Sequence, residues 1–239
     1  MSFRVRDAEI TEWLDADTIN DAALRRNLGD IRRINWLLGW TAFTVRGVAR
    51  QAEAIAKFTG KRDFSLLDVA SGSADIPLAI ACWAESTGYQ ARIVATDISP
   101  QIVAVAQEQA AGAPTITVER QDALSLPYAP GSFDIALCTL AIHHFEPERA
   151  VELLAGMARV SKHVLVFDVA RARLAYIGSL LLTRLLFMDT MTQHDAPASV
   201  RRAYSAPELR ELAKRADLQD ATVRLGIPWR LALSARGAA

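Results

Sequence analysis

The chain has 239 residues, enough for one large domain, and 51% of them are hydrophobic, enough for a sizeable core. Its 27 basic and 27 acidic residues give a formal net charge of +0, which argues against the basic excess typical of nucleic-acid binding. The cysteines, Cys82 and Cys138, are too few for a metal cluster and lie in apolar sequence, so we expect a reduced, cytoplasmic protein.

The sequence pattern of the first 60 residues predicts helices. Leucines and isoleucines between 24 and 38 recur at helical spacing, with arginines on the opposite face. Gly39 is expected to end this helix. A second helix is expected from about residue 44 to 57, closed by Gly60. We expect this segment, residues 1–60, to pack over the site of the following domain, residues 61–239.

The pattern changes after residue 60, where short apolar runs alternate with helical windows. The runs cover residues 65–70, 92–96, 116–120, 134–139 and 164–168, and the windows cover 75–85, 100–110 and 148–160. This alternation predicts an α/β fold, a doubly wound, Rossmann-like and mostly parallel sheet covered on both faces. Two further runs, 221–227 and 229–235, predict an antiparallel C-terminal ending and complete seven strands.

Two features lie between the fifth strand and these last runs. Residues 174–191 are apolar but interrupted by Arg184, and they are shorter than the ~20 apolar residues of a membrane span. They predict a buried or lid helix within a substrate lid, residues 171–204, and no stable membrane insertion. Ser205 and Glu208 have the spacing of a capping box, which opens one more helix.

Acidic residues follow three successive strands of the predicted sheet. Asp68 precedes a small-residue loop that contains Gly72, Asp97 ends the second strand, and Asp122 follows the third. A doubly wound sheet binds ligands at the carboxyl ends of its strands, and an acid about 25 residues past the loop glycine suits ribose hydroxyls. Each residue alone has an ordinary structural explanation, but together they indicate a nucleotide-type cofactor site.

The segments "LLDVASGSADI", "IVATDISPQIV", "RQDALSLPY", "GSFDIALCTLAIHHF" and "MARVSKHVLVFD" resemble the class I S-adenosylmethionine-dependent methyltransferases. The resemblance covers about residues 60–170. More narrowly, "LRRNLGDIRRINWLLG" and "TQHDAPASVRRAYSAPELRELAKRADL" resemble methyltransferases associated with type III polyketide synthases, relatives of the quinone C-methyltransferases.

This resemblance implies S-adenosylmethionine as cofactor, with S-adenosylhomocysteine as product. Asp97 would hold the ribose and Asp122 the adenine amino group. The residues implied to contact the cofactor are Asp68, Ala70, Ser71, Gly72, Asp97, Ile98, Asp122, Ala123, Thr139 and Leu140. The family's loop reads acid-x-Gly-x-Gly-x-Gly, whereas this chain has alanine at the two outer positions. Alanine serves there unless φ is positive or its methyl group touches the ligand.

Histidines are the candidate catalytic bases. His143 and His144 follow the fourth strand, and imidazole, with a pKa near ~6.5, suits deprotonation of a phenol. The alternative is that one caps a helix and the other packs in the core. His194, followed by Asp195, is a second candidate; the alternative is a loop histidine beside a capping aspartate.

A substrate lid would bring further side chains to the acceptor. The candidates are Tyr176, Arg184, His194, Arg201 and Tyr204, although an ordinary buried helix and surface arginines explain the same pattern. Asp168 ends the fifth strand like a ligand of metal-dependent relatives, but no neighbouring Asp/Asn pair completes a site. We therefore expect no metal.

The sequence thus predicts methyl transfer to a small, apolar aromatic or polyketide-derived acceptor, at a phenolic oxygen or a ring carbon. Two alternatives stay open: a catalytically silent protein that binds S-adenosylmethionine, and a nicotinamide-dependent oxidoreductase, which would want a fuller Gly-x-Gly-x-x-Gly loop. We expect no nucleic-acid partner, and a homodimer is one possible assembly.

Overall fold

A computed structural model describes residue 3 and residues 5–16, 18–186 and 188–237. The α-helices of this part of the chain are α1 Asp21–Leu37, α2 Trp40–Thr59, α3 Asp75–Ser86, α4 Pro100–Ala110, α5 Pro147–Val160, α6 Arg173–Leu185, α7 Thr190–Arg202 and α8 Ala206–Arg215. The strands are β1 Asp63–Val69, β2 Gln90–Asp97, β3 Ile116–Arg120, β4 Phe133–Thr139, β5 Ser161–Val169, β6 Gln219–Gly226 and β7 Arg230–Arg236. Short 3₁₀ turns lie at Trp13–Asp15 and Ile142–His144.

The seven strands form one sheet in the order β3-β2-β1-β4-β5-β7-β6. Strands β1 to β5 pair in parallel, and β7 runs antiparallel to both β5 and β6. The predicted fold class, a mostly parallel doubly wound sheet with an antiparallel C-terminal strand, is confirmed. Val169 pairs with Arg230, so the β6–β7 hairpin lies beside the carboxyl end of β5.

The sheet is buried on both faces, as its central strands require. Leu66 and Leu67 are adjacent on β1 and therefore point to opposite faces, yet both are fully buried. One face packs mainly against α2 and α3, and the other against α5 and α8. Continuous apolar runs with no polar alternation are typical of such a parallel sheet, which is why the strands are visible in the sequence.

The N-terminal helices are as predicted except at one boundary. Gly39 lies between α1 and α2, and Gly60 ends α2. Both have left-handed φ values, 68° and 73°. Helix α2 begins at Trp40, four residues earlier than expected. Near its middle, Gly47 lies so close to β5 that an added Cβ would be 2.3 Å from the Phe167 ring.

The segment after β5 differs from its prediction. We expected one helix over residues 174–191, but the chain forms α6 and α7 in succession. The Asp189 carboxylate caps α7 by accepting a hydrogen bond from the Met191 amide at 3.0 Å, and this cap starts a new helix. The capping box of Ser205 and Glu208 at the start of α8 is confirmed.

Candidate functional site

The loop between β1 and α3 adopts a conformation that favours glycine at three alternate positions. Ala70, Gly72 and Ala74 have φ values of 55°, 58° and 61°. The two alanines are therefore strained, since L-residues avoid the left-handed region. A Cβ added at Gly72 would meet nothing within 4 Å, so the backbone there borders open space that a ligand could use. We expected alanine to serve at these positions unless φ is positive. Because φ is positive at both Ala70 and Ala74, that condition is not met.

Asp68, at the end of β1, carries an unsatisfied buried carboxylate. It is 1% exposed, and its Oδ1 has no hydrogen-bond partner among the described residues. Burial raises the pKa of this carboxyl well above its usual range, and the charges of Asp75 and Asp97 raise it further. A buried anion beside two other acids is costly unless a cation compensates it. The arrangement fits a positively charged ligand.

Asp97 holds the loop in place. Its Oδ2 accepts from the Gly72 amide at 3.1 Å, and its Oδ1 accepts from the Ser99 amide at 3.1 Å. Burial raises the pKa of Asp97, although these backbone N–H groups oppose the shift. Ile98 follows, and 60% of its surface is exposed. An apolar group of a ligand could pack against it.

The other predicted cofactor contacts lie at neighbouring strand ends. Asp122 is exposed and accepts from the Leu124 amide at 2.9 Å, while Ala123 is buried. After β4, the Thr139 hydroxyl is buried without a described partner. Leu140 adopts a left-handed φ of 53°, and its amide donates to the Phe167 carbonyl at 2.7 Å. The fold thus gathers the predicted residues at one edge of the sheet; their contacts with a cofactor stay predictions.

His143 is buried between two carboxylates. Its Nδ1 lies 2.9 Å from both carboxylate oxygens of Asp168, and its amide also donates to Asp168 at 3.2 Å. Its Nε2 has no hydrogen-bond partner in the described structure and lies 3.6 Å from Oε1 of Glu12, which is also unpartnered. An aspartate that binds one ring nitrogen fixes the orientation of the imidazole, and here the other nitrogen faces the buried Glu12 carboxylate.

His144 points into a cluster of charged residues. Its Nδ1 lies 2.8 Å from Oδ1 of Asp15, whose other oxygen accepts from Arg202 at 2.6 Å. Burial disfavours the imidazolium, but the charges of Glu12 and Asp15 outweigh it and raise the pKa of His144 to about 9. Although burial opposes it, His144 and Arg202 lower the pKa of Asp15 to about 2. His144 is therefore a cation at neutral pH.

His194 and Asp195 lie within α7 rather than in a loop. The His194 Nδ1 is 2.7 Å from Oδ1 of Asp195, and its ring stacks on Trp13 at 4.3 Å between centroids. Asp195 also accepts from the amides of Trp13 and Leu14, at 2.8 and 3.0 Å. This pair therefore anchors the N-terminal 3₁₀ turn on α7, and its catalytic role stays a prediction.

The predicted substrate residues differ in how firmly their surroundings hold them. Tyr204 is 3% exposed and donates its hydroxyl proton to the Phe145 carbonyl at 2.7 Å. Arg201 forms an ion pair with Asp7. Arg184 lies on the exposed side of α6, with only a long 3.5 Å contact to its own helix among the contacts seen. The remaining candidate, Tyr176, is half-buried.

One described group could approach a metal ion. Ligand atoms of Glu12, His143 and His144 all lie within 4.8 Å of one another. The Arg202 guanidinium, however, lies 3.9 Å from Glu12, and a fixed positive charge there opposes a second cation. The absence of a metal stays a prediction.

Sequence reasoning missed the N-terminal contribution to this cluster. Glu12 is 5% exposed and accepts from the Ser199 hydroxyl at 2.8 Å. Asp15 was likewise not among the predicted site residues, whereas Arg202 was considered beside Arg201 for an anionic substrate group and not as a partner of the histidines. The only trace of Glu12 and Asp15 in the sequence is the acidic stretch "DAEITEWLD", which carries no spacing that would connect it to a histidine more than a hundred residues away.

Comparison with known proteins agrees with this architecture. Residues 66–164 match a family model described as a methyltransferase domain. Two curated relatives are named demethylmenaquinone methyltransferase. The protein of Deinococcus radiodurans is 35% identical, and the match covers 42% of this chain and 39% of that protein. The protein of Desulfitobacterium hafniense is 27% identical, and the match covers 50% of this chain and 47% of that protein. The chain thus spans less than half the length of these curated relatives.

A solved structure shows the same fold over nearly the whole chain. The crystal structure of human N-acetylserotonin methyltransferase in complex with S-adenosylmethionine has a TM-score of 0.65 and 13% sequence identity, and the match covers 92% of this chain and 57% of that protein. At this identity the likeness concerns the fold alone. In the described part of the chain, no helix is both long and apolar enough to cross a membrane.

Proposed function

We propose that this chain is an S-adenosylmethionine-dependent methyltransferase that acts on a small, apolar aromatic or polyketide-derived acceptor with a hydroxyl group. The observation that carries the proposal is the unpartnered carboxylate of Asp68, buried beside Asp75 and Asp97 at the carboxyl edge of the sheet. S-adenosylmethionine carries an ammonium and a sulfonium and would neutralise this site. When bound, it supplies an electrophilic methyl carbon on a positively charged sulfur.

The same charges weigh against a nicotinamide cofactor. The pyrophosphate of a dinucleotide binds at the loop between the first strand and its helix. Here Asp68, Asp75 and Asp97 surround that loop. Burial raises the pKa of each carboxyl, and the charges of Arg32 near Asp75 and of His144 near Asp97 do not outweigh it. A second anion at this place would be repelled.

We propose His143 as the general base and Asp168 as the residue that positions it. The free Nε2 of His143 would accept the proton of the acceptor hydroxyl while the methyl group is transferred, for O-methylation. For C-methylation it would accept the proton that leaves the ring carbon after transfer. His144 is less suited, since a group with a pKa of about 9 already holds its proton at neutral pH and cannot accept another.

The names of the two curated relatives support an aromatic acceptor of the quinone type. Residues 66–164, the part that matches the methyltransferase domain, contain His143 and the cofactor edge. The specific polyketide association rests on the sequence resemblance alone.

The test is a turnover assay by mass spectrometry with S-adenosylmethionine and a panel of alkylated phenols and hydroquinones. We expect a product 14 mass units heavier, one methylene by stoichiometry, and fragmentation distinguishes an oxygen from a carbon site. His143→Ala should lower turnover roughly a hundredfold while cofactor affinity stays intact. His163→Ala, on the distant end of β5, is the matched control and should behave as wild type.

Two outcomes separate the alternatives. Asp168→Asn should lower turnover with cofactor affinity intact, because the proposed base loses its orienting partner. Tight S-adenosylmethionine binding without turnover on any acceptor would instead favour a catalytically silent protein that binds S-adenosylmethionine. The strain at Ala70 and Ala74 supports that alternative.

A further inference from the structure

Three segments of this charge-balanced chain contain no acidic residue. Residues 31–52, 169–188 and 221–239 lack aspartate and glutamate, and they carry four, three and three arginines, respectively. The first spans the end of α1 and most of α2, the second includes α6, and the third includes β7 and all of β6 but its first two residues. Acidic residues are thus absent from three stretches that lie on different elements.

Each of these segments exposes large apolar side chains. Trp36 is 73% exposed, Leu185 72% and Ile227 93%. On α6, the exposed apolar residues recur with the spacing of one helix face: Leu174, Ile177, Leu181 and Leu185. Leu37 and Leu38 accompany Trp36, and Leu225 precedes the hairpin tip. Scattered apolar side chains are normal on a surface, but clusters on adjoining elements indicate a binding surface.

Contacts join the three elements at one edge of the sheet. The Ala170 amide, just before α6, donates to the Trp229 carbonyl of the hairpin at 2.7 Å. The Arg230 guanidinium donates to the Leu38 carbonyl between α1 and α2, and it lies 5.3 Å from the centre of the Trp40 ring. This is the carboxyl edge of β5, the edge that also holds the cofactor loop.

In the part of the chain that the structure describes, several arginines of this face have no acid close enough to neutralise them. Arg33, Arg46, Arg173 and Arg224 form no ion pair within the described residues, whereas Arg25 on the opposite part of α1 pairs with two acids. Burial and the charge of neighbouring arginine both lower the pKa of Arg230. We call this surface the arginine–apolar face: residues 33–38, Arg46, the exposed side of α6, and residues 224–230.

We propose that the arginine–apolar face docks on an anionic lipid bilayer. Apolar side chains would enter the boundary between headgroups and acyl chains, and the arginines would contact the anionic headgroups, as interfacial helices do. A second copy of the chain fits less well, because a two-fold interface would bring arginines against arginines with no acid to pair them. Side chains as exposed as Ile227 project outward and do not line a groove for a peptide.

Docking there would place the carboxyl edge of the sheet against lipid, from which an apolar acceptor could be taken. This consequence rests on the proposed function, while the docking itself does not. The two can therefore fail separately.

The experiment is flotation of the full chain with vesicles of phosphatidylcholine alone or mixed equally with phosphatidylglycerol. We expect binding to the anionic vesicles that weakens as salt is raised. Each basic side chain near an anionic surface contributes roughly a factor of five, so Arg173→Gln with Arg224→Gln should weaken binding about 25-fold. Ile227→Ser with Leu181→Ser should weaken it about tenfold or more.

Matched controls lie away from this edge. Lys214→Gln, at the end of α8, removes an exposed charge, and Phe58→Ser, at the end of α2, removes an apolar side chain that is 92% exposed. Both should bind vesicles as the wild type does. Methyl transfer to a water-soluble acceptor should be unchanged in all these variants, so a loss there would concern the proposed function and not the docking.

Equal binding to both kinds of vesicle, or binding to neither, would overturn the proposal. So would a homodimer in light scattering that the Ile227→Ser and Leu181→Ser variant dissociates, since the face would then contact a second copy. Control variants that lose vesicle binding to the same extent would also overturn it.

Discussion

Asp68→Asn should raise the stability of the ligand-free protein and lower its affinity for S-adenosylmethionine. The wild-type carboxylate is 1% exposed, has an unpartnered oxygen and faces two other acids. Asparagine leaves a polar group at this place but removes its charge and the repulsion from the other two acids; we take the gain to be about 1–3 kcal/mol, the order of a buried polar group's desolvation. At about 2–4 °C per kcal/mol for a domain of this size, we expect the melting temperature to rise by about 2–12 °C.

The affinity should change in the opposite direction. A hydrogen bond to a charged group contributes about 1.5–3 kcal/mol, so the variant should bind S-adenosylmethionine roughly ten- to a hundredfold more weakly. Calorimetric unfolding without ligand, together with isothermal titration, measures both quantities. Asp63→Asn is a matched control, since that exposed residue begins the same strand, and it should change neither value.

The pH dependence gives an independent check. The folded-state pKa of Asp68 lies above its unfolded value, so its contribution to stability is present at low pH and is lost as pH rises through the folded-state pKa. Asp68→Asn should flatten that loss. A ligand-free variant that melts below the wild type, or one that binds the cofactor equally well, would refute this account of the site.

Further predictions concern the loop, the packing of α2 and the charged cluster. Ala70→Gly should raise the melting temperature in differential scanning calorimetry. The variant relieves about 1–2 kcal/mol of left-handed strain, which exceeds the cost of about 0.4–1 kcal/mol from the greater entropy of its unfolded state. An unchanged or lower melting temperature would count against the strain. Gly47→Ala should lower the free energy of unfolding by about 1–3 kcal/mol in urea titrations, because its Cβ would overlap the Phe167 ring; wild-type stability would mean that α2 is free to shift. His144 has a folded-state pKa of about 9, raised above its unfolded value, so it stabilises the fold fully below about pH 6.5, and this contribution is lost as pH rises to 9. Asp15→Asn should reduce that loss and lower the His144 pKa in NMR titrations; an unmoved titration would contradict the ion pair.

The strands were predictable because a buried parallel strand leaves a simple trace, a short apolar run between turn residues. β3 and α4 begin and end where the sequence predicted, and the other parallel strands differ by at most three residues at either end. The division between α6 and α7 was missed, because a single capping aspartate, Asp189, interrupts an apolar stretch that otherwise continues at helical spacing.

The candidate site likewise has a part that could be predicted from the sequence and a part that could not. Asp68, Asp97 and Asp122 could be placed together from the sequence because each lies at or just after the carboxyl end of a strand, and these ends lie at one edge of a parallel sheet. The partner of His144 was missed because Asp15 is 129 residues distant in sequence, and no local pattern encodes such a contact. The role of Asp168 was only half seen: its place at a strand end was noted, but its pairing with His143 depends on the fold.

The participation of Glu12 and Asp15 has a consequence for how such a protein could acquire new acceptors. Both lie outside residues 66–164, the part that matches the methyltransferase domain, as do Ser199 and Arg202 on α7. The cofactor edge and the two central histidines belong to one continuous stretch, whereas the groups that set the charge around those histidines come from the two flanking parts of the chain. Under the proposed function, exchange of the flanks between related proteins would change the charge around the two histidines, and with it the acceptor, while the residues proposed to hold the methyl donor stay the same.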